Sequence, residues 1–159
     1  MPAGPHVLIG PRDNDVTTTL DHLVLGTSDL HRGGAWLEHF FGVALSPVGV
    51  HPRMGTHNRL LSLGPSCYLE LIAIDPAGQP PFMKRWFGLD TADVQERIAT
   101  KPRLLGWVAR TTEIVALAEK VGGVLGGVHA MERNDLKWRI TIPDDGYAVE
   151  AGLIPNLIQ

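Results

Sequence analysis

Two residues sit where their side-chain types are uncommon: His22 within Leu20-Asp21-His22-Leu23-Val24, and Glu70 within Tyr68-Leu69-Glu70-Leu71-Ile72. Side chains alternate faces along a strand, so His22 shares a face with Leu20 and Val24, and Glu70 with Tyr68 and Ile72. Burying a lone charge is costly, so a carboxylate among aliphatic residues needs a partner. A neutral imidazole nitrogen and a carboxylate oxygen brought into one pocket make half of a typical divalent-metal site. Glu70 also has the chemistry of a base that moves a proton beside a carbonyl. Taken singly, each residue has a commoner reading, as a hydrogen-bonded core histidine and an edge-strand charge.

A second group surrounds Gly55. His51 and His57 flank a loop between strands, where functional side chains tend to be placed, and His57, Asn58 and Arg59 project toward the mouth of a cleft if that loop folds over it. Guanidinium groups suit carboxylates and phosphates, so Arg53 and Arg59 are candidate substrate anchors, with surface ion pairs as the commoner alternative. Trp107 and Trp138 fall on strands and can wall an apolar pocket or simply pack in the core. Neither Gly122-Gly123 nor Gly126-Gly127 is followed by the Lys-Ser/Thr pair of a phosphate loop. Gly64-Pro65-Ser66-Cys67-Tyr68 does not form a nucleophile elbow, so a serine hydrolase is unsupported.

Composition narrows the classes. With 44% hydrophobic and 19% charged residues in 159, the chain reads as one globular domain. A formal charge of -3, with no basic run longer than Lys84-Arg85, gives no reason to expect nucleic acid or an anionic membrane as partner. Cys67 is the sole cysteine, which excludes an intrachain disulfide and a multi-cysteine zinc site, and its apolar surroundings read as those of an inert thiol. Residues 1–16 are rich in Pro and Gly and read as a flexible leader without signal-peptide character, so a cytoplasmic location is the default expectation.

The elements that must position these residues recur. The pattern predicts a strand over Thr19–Gly26, then a helix from Asp29 to about Phe41 with Leu30, Leu37, Phe40 and Phe41 on its buried side and Trp36 in the core. Strands follow over Val43–Val50, Asn58–Leu63 and Cys67–Ile74. Phe82–Phe87 and Asp90–Ala99 read as short connecting helices. Strand Leu104–Arg110, helix Thr112–Val121, strands Leu125–Met131 and Lys137–Ile142, and a last strand within Tyr147–Gln159 then repeat the order. The order β-α-β-β-β thus occurs twice, about eighty residues apart, as a duplication would leave it. This gives an α+β domain over 17–159, with a first module at about 17–75, a connector at about 76–102 and a second module at about 103–159.

These segments, with His51 to Gly64 and Trp138-Arg139 followed by Gly152-Leu153-Ile154-Pro155-Asn156-Leu157-Ile158, resemble the glyoxalase-like domain family of the vicinal oxygen chelate superfamily. The resemblance covers nearly everything from Thr19 to Gln159. It implies two tandem βαβββ modules forming a curved mixed sheet around a cleft, with helices on the outer face. It also implies one metal ligand from the first and last strand of each module. His22 and Glu70 match in the first module; Gly106 and Gln159 fall at the second-module positions, and His51 or His57 can supply a missing ligand. The implied cofactor is a divalent ion such as Zn, Ni, Mn or Fe, and the implied activity a lyase or isomerase reaction on a small oxygen-bearing molecule through an enediolate-like intermediate, with Glu70 and His57 as the catalytic candidates. Two rivals stand beside it: a non-catalytic protein that sequesters a small molecule in the same cleft, and an assembly domain that pairs as a homodimer.

Overall fold

A computed structural model describes residues 17–133 and 135–159; the leader read at residues 1–16 lies outside the described residues. The first strand, β1 (Thr19–Gly26), leads into helix α1 (Leu30–Phe41), which Asp29 caps by accepting a hydrogen bond from the Arg32 amide at 2.8 Å. Gly42 ends the helix in the left-handed conformation at φ 69°, a position glycine occupies without steric cost. Strands β2 (Gly49–His51), β3 (Thr56–Ser62) and β4 (Tyr68–Ile74) follow. A 3-10 turn at Trp86–Gly88 and helix α2 (Ala92–Ile98) lead to β5 (Arg103–Arg110), α3 (Ile114–Lys120), β6 (Gly127–Arg133), β7 (Leu136–Ile142), a second 3-10 turn at Val149–Gly152, and β8 (Asn156–Ile158).

Among the described residues the eight strands form one mixed sheet in the order β2-β3-β4-β1-β5-β8-β7-β6. It curves into a nearly closed barrel. The pairs β1–β4 and β5–β8 are parallel, and the other pairs are antiparallel. Edges β2 and β6 meet across the cleft, where Arg53 Nη1 donates to the Ala130 carbonyl at 2.6 Å.

Strand alternation sorts the core. On β4, Leu69, Leu71 and Ala73 turn outward and pack with Leu30 and Leu37 of α1, while Glu70 and Ile72 turn inward. Burial on both faces is what a central strand with a parallel neighbour requires. A second outer core joins Ala109 and Leu157 to Ile114 of α3. The inner core, which includes Val24, Ile72, Val108 and Ile140, closes the floor of the cleft.

Several expected elements change. Val43–Val50 contributes only Gly49–His51 as strand, because Pro47 has no amide to pair; the Ser46 amide and hydroxyl instead hold Leu60 O and N at 2.8 Å each. Phe82–Phe87 is not a helix but ends in the Trp86–Gly88 turn, with Phe87 at φ 58°. On α1 the buried residues are Leu30, Gly33, Gly34 and Leu37, whereas Trp36, Phe40 and Phe41 are exposed. The two glycines explain the difference: they let the helix lie close to the sheet on the stripe they share with Leu30 and Leu37, which leaves the aromatic residues outside. A Cβ at Gly33 would stand 2.5 Å from Thr27 Oγ1.

Gly33→Ala should therefore destabilise the protein, although alanine in an exposed helix gains about 1 kcal/mol over glycine. Urea unfolding checks the sign, since relief of the contact needs movement of the buried Thr27 or of α1. A higher midpoint in the variant would refute the close-packing account.

Candidate functional site

The cleft holds a cavity of about 230 Å³. His22 reaches its wall from β1, His51 from β2, Asn58 and Leu60 from β3, and Tyr68 and Glu70 from β4. The second module contributes Arg133, Leu136, Lys137, Trp138, Ile140 and Ile158. One side is thus polar and the other mainly apolar with two cations.

His22 is fixed from behind. The pairing of β1 with β5 skips Asp21, between Leu20 and His22, and bulges of this kind re-aim side chains. Here the Asp21 carboxylate lies 2.7 Å from His22 Nδ1. An ionised carboxylate only accepts, so Nδ1 carries the proton and Nε2 presents its lone pair. Nε2 faces Glu70 Oε2 at 3.6 Å. Tyr68 stacks on the imidazole, with centroids 4.5 Å apart and planes at 15°.

Asp21 also accepts from Arg110 Nε at 2.6 Å and pairs with its guanidinium. Burial alone would raise the Asp21 carboxyl, but the bonds and charges of His22 and Arg110 outweigh it and hold the group below its ordinary value. Burial pushes the Tyr68 phenol well above its ordinary value, and the charges of Glu70 and Asp21 add to the shift, so it stays neutral as a donor.

Asn58 organises the other side. Its Nδ2 donates to Glu70 Oε1 at 2.6 Å and lies 3.4 Å from His51 Nε2, while Oδ1 accepts from Arg133 Nη1 at 3.2 Å. Those partners set the amide orientation, since the carboxylate needs a donor and the guanidinium an acceptor. His51 Nδ1 then donates to Thr56 Oγ1 at 3.1 Å. Burial lowers the His51 pKa; the Glu70 charge opposes this, and Arg133 adds to the lowering. His51 is neutral at pH 7, and Glu70 Oε2 is the carboxylate oxygen left facing His22.

The structure brings His22, Glu70, His51, Asn58 and Trp138 together and places the other sequence candidates elsewhere. His57 and Arg59 alternate to the outer face of β3. His57 Nδ1 lies 3.9 Å from Asp75 Oδ1, and Arg59 binds Glu38 and the carbonyls of Leu45 and Ser46. Arg53 spans the β2–β6 seam with its guanidinium over the Phe82 ring. Trp107 turns outward against the α3 core and donates to the Leu153 carbonyl at 3.0 Å. Gln159 also turns away: its amide oxygen accepts from Arg139 and Ile114, and its nitrogen donates to Thr112 O.

Strand register corrects the Gln159 assignment. β1 and β5 match position for position, so His22 corresponds to Gly106 and Val24 to Val108. Val24 pairs with Glu70 and Val108 with Asn156. The second-module counterpart of Glu70 is therefore Asn156, whose Nδ2 donates to the Thr141 carbonyl at 2.7 Å. Gly106 and Asn156 do not complete the four-ligand set that the resemblance implies. Among the described residues, no group of three or more His, Cys, Asp and Glu side chains is arranged to hold a metal ion. The matched positions supply two of the four implied ligands, His22 and Glu70, and no step below is routed through an ion.

Sequence reasoning missed Asp21, Tyr68, Arg133 and Lys137. The adjacency of Asp21 to His22 was visible, but a regular strand would have put them on opposite faces. Nothing local marked Arg133, which reaches the site only because the sheet curves β6 back toward β2.

The chain matches the profile of the glyoxalase-like domain family over residues 20–159 and belongs to that family. No curated protein matches it. Among solved structures, methylmalonyl-CoA epimerase from Mycobacterium tuberculosis superposes with a TM-score of 0.53 at 15% identity, over 96% of this chain and 93% of that one. A methylmalonyl-CoA epimerase in complex with methylmalonyl-CoA and NH4+ gives 0.54 at 16% identity, over 91% and 94%. A hypothetical protein from Staphylococcus aureus gives 0.57 at 22% identity, over 90% of this chain and 58% of that one. At these identities the likeness shows the fold.

Two pH windows follow from the shifts. As pH falls through about 6.5, the unfolded chain takes up a proton that folded His51 refuses, so stability declines. Below about 3.9, protonation removes the Asp21 contribution. Thermal midpoints against pH should show both steps, with His51→Gln flattening the upper one alone. An unchanged upper step in that variant would show that His51 is not its source.

Proposed function

We propose that this protein is an isomerase- or lyase-type enzyme that moves a proton at a carbon beside a carbonyl of a small substrate. The observation that carries this reading is the Asp21–His22–Glu70 arrangement: an oriented imidazole lone pair facing the free oxygen of a buried carboxylate across the cavity floor.

Glu70 Oε2 takes the proton from the substrate carbon while Asn58 steadies Oε1. His22 Nε2 lies within reach to relay that proton or return it, and Asp21 stabilises the imidazolium that forms. The neutral Tyr68 phenol ring stacks on the imidazole and helps hold it in place. Trp138, Ile140 and Ile158 supply an apolar wall, which strengthens each of these interactions by excluding water. At about 230 Å³ the cavity is below the roughly 300–1,000 Å³ usual for ligand pockets, so it encloses a small molecule or the reacting end of a larger one.

One neighbour gives a starting substrate, since a methylmalonyl-CoA epimerase of this fold is described in complex with methylmalonyl-CoA. The absence of an imidazole or carboxylate at Gly106 and Asn156 favours a second reading, in which the same cavity only binds its ligand.

The test is deuterium exchange at the α-carbon of methylmalonyl-CoA and of small 2-oxo and 2-hydroxycarbonyl compounds, followed by NMR. Wild type should exchange at least one of them, Glu70→Gln should lose about 100-fold or more, and dialysis against a chelator should leave the rate unchanged. Binding without exchange would select the sequestering role. Stoichiometric zinc uptake that is lost in His22→Ala, with exchange dependent on the ion, would contradict the ion-free route.

A further inference from the structure

The cavity wall carries a half-buried cation that no carboxylate pairs. Glu70 is the only lining carboxylate among the described residues, and Asn58 holds it, while Arg133 faces the cavity from the second module. Lys137 stands at the rim, on the other face of β7 from Trp138 and opposite Glu132. Arg133 thus lies beside an apolar wall, and a partly buried cation is stabilised by an anion that pairs with it.

Arg133 is the better placed of the two cations. Lys137 is exposed, whereas Arg133 is half-buried and its Nη1 donates to Asn58 Oδ1 at 3.2 Å. Among the described residues no carboxylate lies within ion-pair distance of it. A guanidinium carries five N–H donors in a planar fork, so donors remain for a ligand. The position is also built into the backbone: a Cβ at Gly49 would overlap both Arg133 Nη1 and Asn58 Oδ1. The missing side chain at residue 49 lets the arginine of one module settle on the asparagine that holds Glu70.

We propose that Arg133 binds the oxyanion group, carboxylate or phosphate, of a small anionic substrate whose apolar part packs on Trp138. This rests on the reading above that the cavity holds the substrate, and it names that substrate's class. The anion on Arg133 and the proton acceptor Glu70 are then bridged by one side chain, Asn58, so anchoring the anion sets where the reacting carbon lies.

The full chain is titrated with benzoate, phenylphosphonate and benzamide, three flat probes of similar shape, and followed by tryptophan fluorescence. One or both anions should bind at least about ten-fold more tightly than the amide. Whichever anion binds more tightly distinguishes a carboxylate from a phosphate-type ligand. Arg133→Met should weaken the anion by a similar factor and leave benzamide unchanged, with Arg133→Lys between them because it keeps the charge and loses the fork. If Arg133→Met does not fold, the wild-type comparison of anion with amide and the Arg133→Lys titration decide the matter. Equal binding of acid and amide, no binding of either anion, or unweakened anion binding by a folded Arg133→Met would each overturn the proposal. Selective anion binding without α-carbon exchange would keep this inference and remove the proton-transfer reading, so the two can fail separately.

Discussion

A buried carboxylate constrains this structure more than any other group. Glu70 lies on a strand otherwise built of tyrosine, leucine, isoleucine and alanine, and is 7% exposed. Such a charge persists only where donors and cations surround it. Asn58 meets part of this requirement by donating to Oε1, His51 and Arg133 extend the network, and Oε2 is left to share a proton or a ligand group with His22 Nε2. Asp21 serves the histidine in turn, and Arg110 serves Asp21. Removing Asn58 or Asp21 leaves a buried polar group unpaired, so the network fixes the direction in which Glu70 and His22 face.

The two modules have the same element order but not the same chemistry. The first supplies the polar pair, whereas the second presents Gly106 and Asn156 at the matching registers. In exchange, the second module supplies the apolar wall and the two cations. The fold repeats a scaffold that brings one face of each module to a shared cleft, and the side chains on that face differ. The polar network of the cleft is therefore joined across the modules by Arg133 on Asn58, not by matching ligands from each.

Much of the fold was legible because its cause is local. Thr19–Gly26 and Tyr68–Ile74 carry uninterrupted strand patterns, and Asp29 and Gly42 mark the ends of α1. His22 and Glu70 stood out as polar residues in apolar strands. The misses have equally definite causes. Strand parity turns His57, Arg59 and Trp107 away from the cleft, because a shift of one residue moves a side chain to the other face; Arg59 and Trp107 take their alternative readings, an ion pair and core packing. Gln159 failed on register, since its alignment with Glu70 ignored which residues pair with Val24 and Val108. Asp21 was hidden by a bulge, and Arg133 by closure of the sheet, neither of which leaves a trace in the local pattern. Phe40 and Phe41 were assigned to the core because hydrophobicity was read without the close packing that Gly33 and Gly34 permit.

The central claim is that Asp21 fixes the His22 tautomer so that Nε2 faces Glu70. Nitrogen-15 NMR of the imidazole, on protein labelled at histidine, tests this most directly. Nδ1 of His22 should carry a proton at neutral pH, hydrogen-bonded to Asp21, with that signal altered in Asp21→Ala. A His22 whose Nδ1 is bare and whose Nε2 carries the only ring proton would contradict it.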